Sequence, residues 1–242
     1  MTQDLIGAAI LMAYYLLIVV LVPTLLKRYT SIPFEVVRKI QHVGYSLSIF
    51  ILLRRFSTWY MALGAAFLLV LVAYPALLIV ERFSWYRETF VDRGKGGELR
   101  RQLIYVQLSF ALLILIFWGL LGVRWQYIVA LAVVPWGFGD AAAALVGKAW
   151  GHRRVLSRFI ENAKTCEGTL AMAVVSGTTL FWTLLLYAQQ SWLVSLLTAS
   201  IVAPVCSLVE LFSRRGTDTL TVPFFTALWL LPVLRAFAAL GW

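Results

Sequence analysis

The chain has 242 residues, 62% hydrophobic and only 13% charged, with a formal net charge of +10 and a mean hydropathy of +0.86. This composition excludes an ordinary soluble domain, and several apolar runs reach the roughly 20 residues that a helix needs to cross a bilayer. A barrel is excluded as well, since its strands are about 10 residues of alternating polarity and these runs are longer and continuous. The expectation is an all-α fold, a polytopic integral membrane protein with about eight transmembrane helices in one transmembrane domain over 1–242.

The spans are expected at roughly 5–26, 37–53, 58–80, 102–121, 125–149, 167–188, 191–212 and 220–240. The first lacks a cationic leader and is too long for a signal-peptide core, so it is taken as a span. Counting Lys and Arg in alternate loops gives a sharp asymmetry, with 17 of 21 on one side and only Arg54, Arg55, Arg124 and Arg235 on the other. By the positive-inside rule the crowded side is cytoplasmic, with loops near 27–39, 81–101, 150–166 and 213–219, and both termini face out. In a soluble protein the net charge would raise nucleic acid as a partner. Here the cations lie between spans, so topology and attraction to phosphate-bearing groups account for them and no nucleic acid is expected. Cys166 and Cys206 have neither disulfide nor metal-ligand spacing and are expected to be packing residues. No sequence feature specifies an oligomeric state.

In chain order, the second span opens with EVVRKIQHVGYS, where Glu35, Arg38, His42 and Ser46 share one helical face. Arg38 and Lys39 alone would suit a snorkelling helix start, but His42 lies further into the span than that role requires. The 81–101 loop holds six cationic and four acidic residues, and its glycines do not form a Walker A loop. It is expected to be a solvated or headgroup-contacting linker, with a mobile flap over a site as the other possibility.

The fifth span carries Gly137, Asp140, Ala144, Gly147 and Gly151 as a narrow small-residue stripe. Helix packing explains the alanines and glycines. It does not explain Asp140, which lies about 14 Å deep at about 1.5 Å per residue. A carboxylate at that depth needs a cation or a bound metal ion as partner, and is a functional-site hypothesis by default. The seventh span ends in SLVELFSRRGTDTLTVP, with Glu210 flanked by Ser207 and Ser213, then Gly216 and Asp218. A broken helix end with polar side chains at membrane depth is tolerable where it lines a site.

On the expected cytoplasmic side, Asp140, Glu210 and Asp218, with Glu167 nearby, thus meet Arg38, Lys39, Lys148 and Lys164. Oxygen donors without a Cys/His cluster suit Mg²⁺, and cations beside that metal suit phosphates. Together with a carboxylate to accept a hydroxyl proton, these are the parts of phosphoryl transfer, the acceptor arriving from the bilayer. Gly137-Phe138-Gly139-Asp140 also matches the G-x-G-D signature of an intramembrane aspartyl protease, but that chemistry needs a second mid-span aspartate, and none is present. A membrane transporter remains an alternative, although no internal repeat is evident and the polar residues gather at one face instead of the midplane.

RKxQHxG at Arg38 to Gly44, GDxxAxxxGxxxG at Gly139 to Gly151, KTxEGxxA at Lys164 to Ala171 and ExxSRRGxDTLTVP at Glu210 to Pro223 together resemble the CTP-dependent lipid-alcohol kinases. That family includes dolichol kinase, phytol kinase and yeast-type diacylglycerol kinase. The four motifs occur in order and extend over about three quarters of the chain. The resemblance implies transfer of the γ-phosphoryl group of CTP, with Mg²⁺, to a membrane lipid alcohol such as a polyprenol, dolichol, phytol or diacylglycerol. It places Asp140, Lys164, Glu167, Glu210 and Asp218 in a nucleotide–metal site, with Arg38, Lys39 and His42 beside it and Lys148, Thr165 and Gly168 on the nucleotide. Asp140 would be a metal ligand, Lys164 a phosphate contact, and Glu210 or Asp218 the second metal ligand or the base. CTP:phosphatidate cytidylyltransferase is similar at DxxAxxxGxxxG and KTxEG. The KRxxKD-like and GGxxDRxD-like segments of that enzyme are missing here, and RRGTDTLTVP stands instead.

Overall fold

The computed structural model describes residues 2–83, 98–155, 158, 160, 164–214 and 216–241. Most of the loop expected at 81–101, with Arg87, Arg93 and Lys95, lies outside the described residues, as do Arg215 and parts of the 150–166 loop. Among the described residues there is no strand, and eight helices are long and apolar enough to cross a membrane. They are α1 (Thr2–Tyr29), α2 (Phe34–Arg55), α3 (Trp59–Ile79), α4 (Arg100–Leu120), α5 (Val123–Trp150), α6 (Cys166–Leu186), α7 (Trp192–Phe212) and α8 (Asp218–Ala239). The all-α polytopic membrane fold read from the sequence is therefore what the chain adopts. Helix ends fall within three residues of the expected spans, because a helix continues past its apolar run until a cap or breaker stops it. α1 runs through Lys27 and Arg28 before Thr30 turns extended, and α2 starts directly after Pro33.

α5 is the hub. Its first half, IVALAVVPW, is apolar on every side, as a helix surrounded by other helices must be, and Ile128 to Val133 are completely buried. α6 lies along it in the most extensive contact of the fold, α2 and α8 pack on other faces, and α7 bridges α6 and α8. α1 and α3 are peripheral, with side chains such as Leu5 and Leu71 turned outward. Pro135, Pro204, Pro223 and Pro232 sit inside helices, a tolerated pattern in membrane spans where neighbouring helices re-satisfy the backbone.

The small-residue stripe of α5 divides between two partners. Gly137 abuts Ser46 of α2, whereas Gly147 and Gly151 abut Thr165 at the start of α6. The closest approach to the backbone of another helix is at Gly168, where a Cβ would lie 2.8 Å from the backbone oxygen of Ala143. Since backbone cannot swing aside as a side chain can, Gly168→Ala is expected to separate α5 from α6 and cost about 1–3 kcal/mol, read as a lower thermal midpoint in detergent. A midpoint equal to that of the unsubstituted chain would show that the contact is slack.

At the end of the bundle away from the candidate site, Asp4 accepts hydrogen bonds from the Ser57 amide (2.9 Å) and hydroxyl (2.8 Å), fastening α1 to the turn before α3. There Arg54 lies over Tyr187 at 5.1 Å, and Arg124 and Arg235 lie over Trp125 at 5.5 and 5.0 Å. Three of the four sparse-side cations therefore rest on ring faces, the arrangement expected of an aromatic belt.

Candidate functional site

Asp140 projects from α5 towards α2, one helical turn beyond the Gly137–Ser46 contact. Lys39 of α2 meets it, Nζ to Oδ2 at 2.7 Å, with only 8% of Lys39 and 7% of Asp140 exposed. An ammonium and a carboxylate so deeply buried hold each other in place, because either alone would be an uncompensated charge. Both contacts to the carboxylate fall on Oδ2, and Oδ1 has no hydrogen bond among the described residues. The second contact is His42 Nε2, 3.1 Å from Oδ2 but off the line of a formed hydrogen bond. The His42 ring is seated edge-on against Trp136, with centroids 4.3 Å apart. Its Nδ1 lies 2.8 Å from the side-chain amide nitrogen of Gln102 in α4. With that amide donating, Nδ1 is the acceptor and the ring proton sits on Nε2, a buried donor without a partner.

The second cluster is built by two turns. Residues 153–155 and 164–166 fold back on each other, with Val155 N–H bonding Lys164 O (3.0 Å) and Cys166 N–H bonding Arg153 O (2.9 Å). Thr165 then caps α6, its hydroxyl accepting the Gly168 amide at 3.1 Å. This pairing aims Lys164 at the end of α7, where Nζ bonds Glu210 Oε1 at 2.7 Å and also the Glu210 carbonyl oxygen. The ammonium therefore joins the Ser213 amide on a carbonyl of the last α7 turn, as well as serving the carboxylate. Oε2 of Glu210 has no hydrogen bond among the described residues. Beyond it, Gly216 adopts φ +81°, a conformation that side-chain-bearing residues rarely take, and reverses the chain into α8. Asp218 stands in the first turn of α8, and Ser213 bonds Thr221 across the reversal at 2.7 Å.

Both clusters open on shared space. A cavity of about 540 Å³ is lined by Lys39, His42, Asp140, Lys164, Glu210 and Asp218, with Arg38 at its edge. A second cavity, of about 750 Å³, meets Lys148, Thr165 and Gly168 and has Arg38, Asp140, Lys164 and Glu210 in common with the first. Chain-distant residues named from the sequence are thus neighbours at one end of the bundle, with one exception. Glu167 lines neither cavity; its carboxylate accepts the Arg153 amide at 3.2 and 3.3 Å and braces the loop. Arg38 is paired with Glu35 one turn before it.

Three carboxylates on one cavity are hard oxygen donors of the kind Mg²⁺ prefers. Among the described residues, no three His, Cys, Asp or Glu side chains stand close enough to form a metal cage. This fits the usual habit of Mg²⁺, which takes one or two carboxylates and completes its shell with substrate phosphates and water. Missed from the sequence are Arg101, Gln102 and Tyr105 of α4 and Arg154 in the loop, which line the two cavities. The signal was present in RRQLIY at the start of a span, where i, i+1 and i+4 fall on adjacent positions of one face, but two arginines after a charged loop read as topology.

Phytol kinase from Synechocystis sp. is 33% identical to this chain over 220 residues, covering 90% of the chain and 88% of the relative. The chain belongs to the lipid-alcohol kinase family. It is a phosphotransferase acting on an alcohol group. No family model matches the kinase, and no solved structure matches it. For such a kinase, two lysine–carboxylate pairs with surplus cations around one cavity are apt chemistry. Of the six cations on the two cavities among the described residues, Arg38, Lys39 and Lys164 are neutralised by a carboxylate, while Arg101, Lys148 and Arg154 have no ion pair among those residues. That excess suits a polyphosphate.

Proposed function

We propose that this kinase transfers the γ-phosphoryl group of CTP, with Mg²⁺, to an isoprenoid alcohol of the phytol type, at a centre formed by Asp140, Lys164, Glu210 and Asp218 facing the cytoplasm. The observation that carries the assignment is that Lys39 and Lys164 each hold one oxygen of Asp140 and Glu210, leaving Oδ1 and Oε2 uncommitted beside the same cavity. Those two oxygens are the ones that would hold the metal, and Mg²⁺ when bound would supply charge neutralisation to the phosphates. Lys164 and Arg38 face both cavities and steady the γ-phosphoryl oxygens, whose charge spreads in the transition state. His42 Nε2–H offers a further donor with no competing bond.

Asp218 is the base. It lines only the smaller cavity and makes no ion pair among the described residues, so no lysine holds its oxygens away from an incoming hydroxyl. The alcohol oxygen attacks the γ-phosphorus and a new P–O bond forms. The bond from that phosphorus to the β–γ bridging oxygen breaks, the bridging oxygen leaves with the electron pair on the nucleoside diphosphate, and the hydroxyl proton passes to Asp218. CTP as donor is supported by the resemblance of the four ordered motifs, and an isoprenoid acceptor by the phytol kinase relative. Purified protein in vesicles, given labelled CTP or ATP and a panel of phytol, polyprenol and diacylglycerol, is expected to yield phytyl phosphate and CDP. A CDP-lipid with pyrophosphate would identify a cytidylyltransferase, and equal use of ATP would remove CTP from the assignment.

A further inference from the structure

We propose that the two cavities are separate substrate chambers, the lipid alcohol entering the smaller one sideways from the bilayer past α4 and the nucleotide occupying the larger one from the loop side. This rests on the kinase centre proposed above and adds where each substrate sits. Among the described residues, the chambers meet only at Arg38, Asp140, Lys164 and Glu210. Those residues form the shared wall, and they are the ones a phosphoryl group must pass in going from donor to acceptor.

Their remaining linings both carry cations but come from different elements of the fold. The larger chamber is floored by Gly147, Gly151 and Gly168 and rimmed by Lys148 and Arg154, both exposed at the polar loop. The flanking cations, with the N-terminal turn of α6 at Thr165 and Thr169, suit a polyphosphate. The smaller chamber takes Arg101, Gln102 and Tyr105 from α4 and Asp218 from α8. Arg101, Tyr105 and Leu108 recur at i, i+4 and i+7 on one stripe of α4, and all three are exposed on the outside of the bundle. On a spanning helix, the exposed Leu108 and its neighbour Ile104 meet lipid tails. Tyr105 belongs to both surfaces, being 37% exposed and lining the chamber. It lies five residues after Arg100, where α4 begins, about 8 Å into the span at about 1.5 Å per residue. A tyrosine near the end of a spanning helix is favoured at the membrane interface, with its ring in the apolar layer and its hydroxyl among polar groups. Neither Arg101 nor Tyr105 has a hydrogen bond or ion pair among the described residues, so both retain donors for an alcohol oxygen or its phosphate product. An amphiphile whose tail stays in the bilayer can reach the Asp218 carboxylate by this route without crossing the polar loop.

The test crosses two substrates with two sets of variants in the full-length protein. Tyr105→Ala is expected to raise KM for phytol about tenfold with the CTP KM within about twofold, and Tyr105→Phe to fall between Ala and the parent. Lys148→Ala and Arg154→Ala are expected to do the reverse and to weaken thermal stabilisation by CTP measured without alcohol. Both KM values rising together, or the opposite pattern, would overturn the division into chambers. A long-chain alcohol bearing a diazirine next to its hydroxyl gives a readout that needs no turnover. Crosslinks are expected on the α4 segment containing Tyr105, and crosslinks confined to residues 147–155 or 164–169 would overturn the proposal even if the kinase assay succeeds. If instead the unsubstituted chain phosphorylates no alcohol but crosslinks at α4, the proposed reaction fails and the lipid chamber stands.

Discussion

Asp140→Asn is expected to lower the phosphorylation rate by about 10²–10³-fold, the scale on which a pre-aimed charge acts in a water-poor site. The substitution keeps the shape of the side chain and removes the charge that faces the cavity through Oδ1. It also strands Lys39, which is buried and has its carboxylate partner only in Asp140 among the described residues. Losing one member of a buried pair costs about 3–5 kcal/mol, so the thermal midpoint is expected to fall as well. Combining Asp140→Asn with Lys39→Met separates the two effects. Without a stranded ammonium, the double variant is expected to recover much of the midpoint and none of the rate. Recovery of both would mean that Asp140 is only a counter-ion for Lys39, and the metal-ligand assignment would be withdrawn.

Lys164→Ala is expected to slow single-turnover phosphorylation about 10²-fold or more and to abolish most of the thermal stabilisation given by CTP. Its ammonium is shared between the Glu210 carboxylate, a carbonyl at the α7 C-terminus and both cavities. Removing it frees Glu210 to repel the incoming phosphates and removes one of the ties between the loop and the end of α7, the Arg214–Arg158 bond remaining. Lys164→Arg restores charge but presents a planar fork in place of a compact ammonium, and is expected to recover nucleotide binding more fully than rate. A Lys164→Ala enzyme with the parent single-turnover rate would sink the phosphate role.

The membrane fold was legible because its signal is cumulative. Twenty or so apolar residues with charged ends leave little else for a span such as Trp59–Ile79 to be. Asp140 was legible for the opposite reason, since an acid in WGFGDAAAALVG has no cost-free explanation. Its partner was not. From the sequence Lys39 was one more cation at a helix start, and only the packing of α2 on α5 turns it inward. Glu167 is the converse case. Its place in KTxEG suggested the nucleotide, yet the fold spends its carboxylate on the Arg153 amide. Gln102 and Tyr105 could not be singled out within RRQLIY because a polar residue at the mouth of a span is ordinary, and which face turns inward depends on where α8 and α2 lie against α4.

The placement of Asp140 on the hub helix has a consequence for how this sequence can change. α5 supplies both the deepest packing of the bundle and its most buried acid, so a substitution there answers to stability and chemistry together. α1 and α3, largely turned to lipid, answer only to apolarity and length. Evolutionary drift and any effort to engineer a sturdier protein therefore have room on the outer pair, where an exchange such as Leu71→Ile leaves every residue of the two cavities untouched.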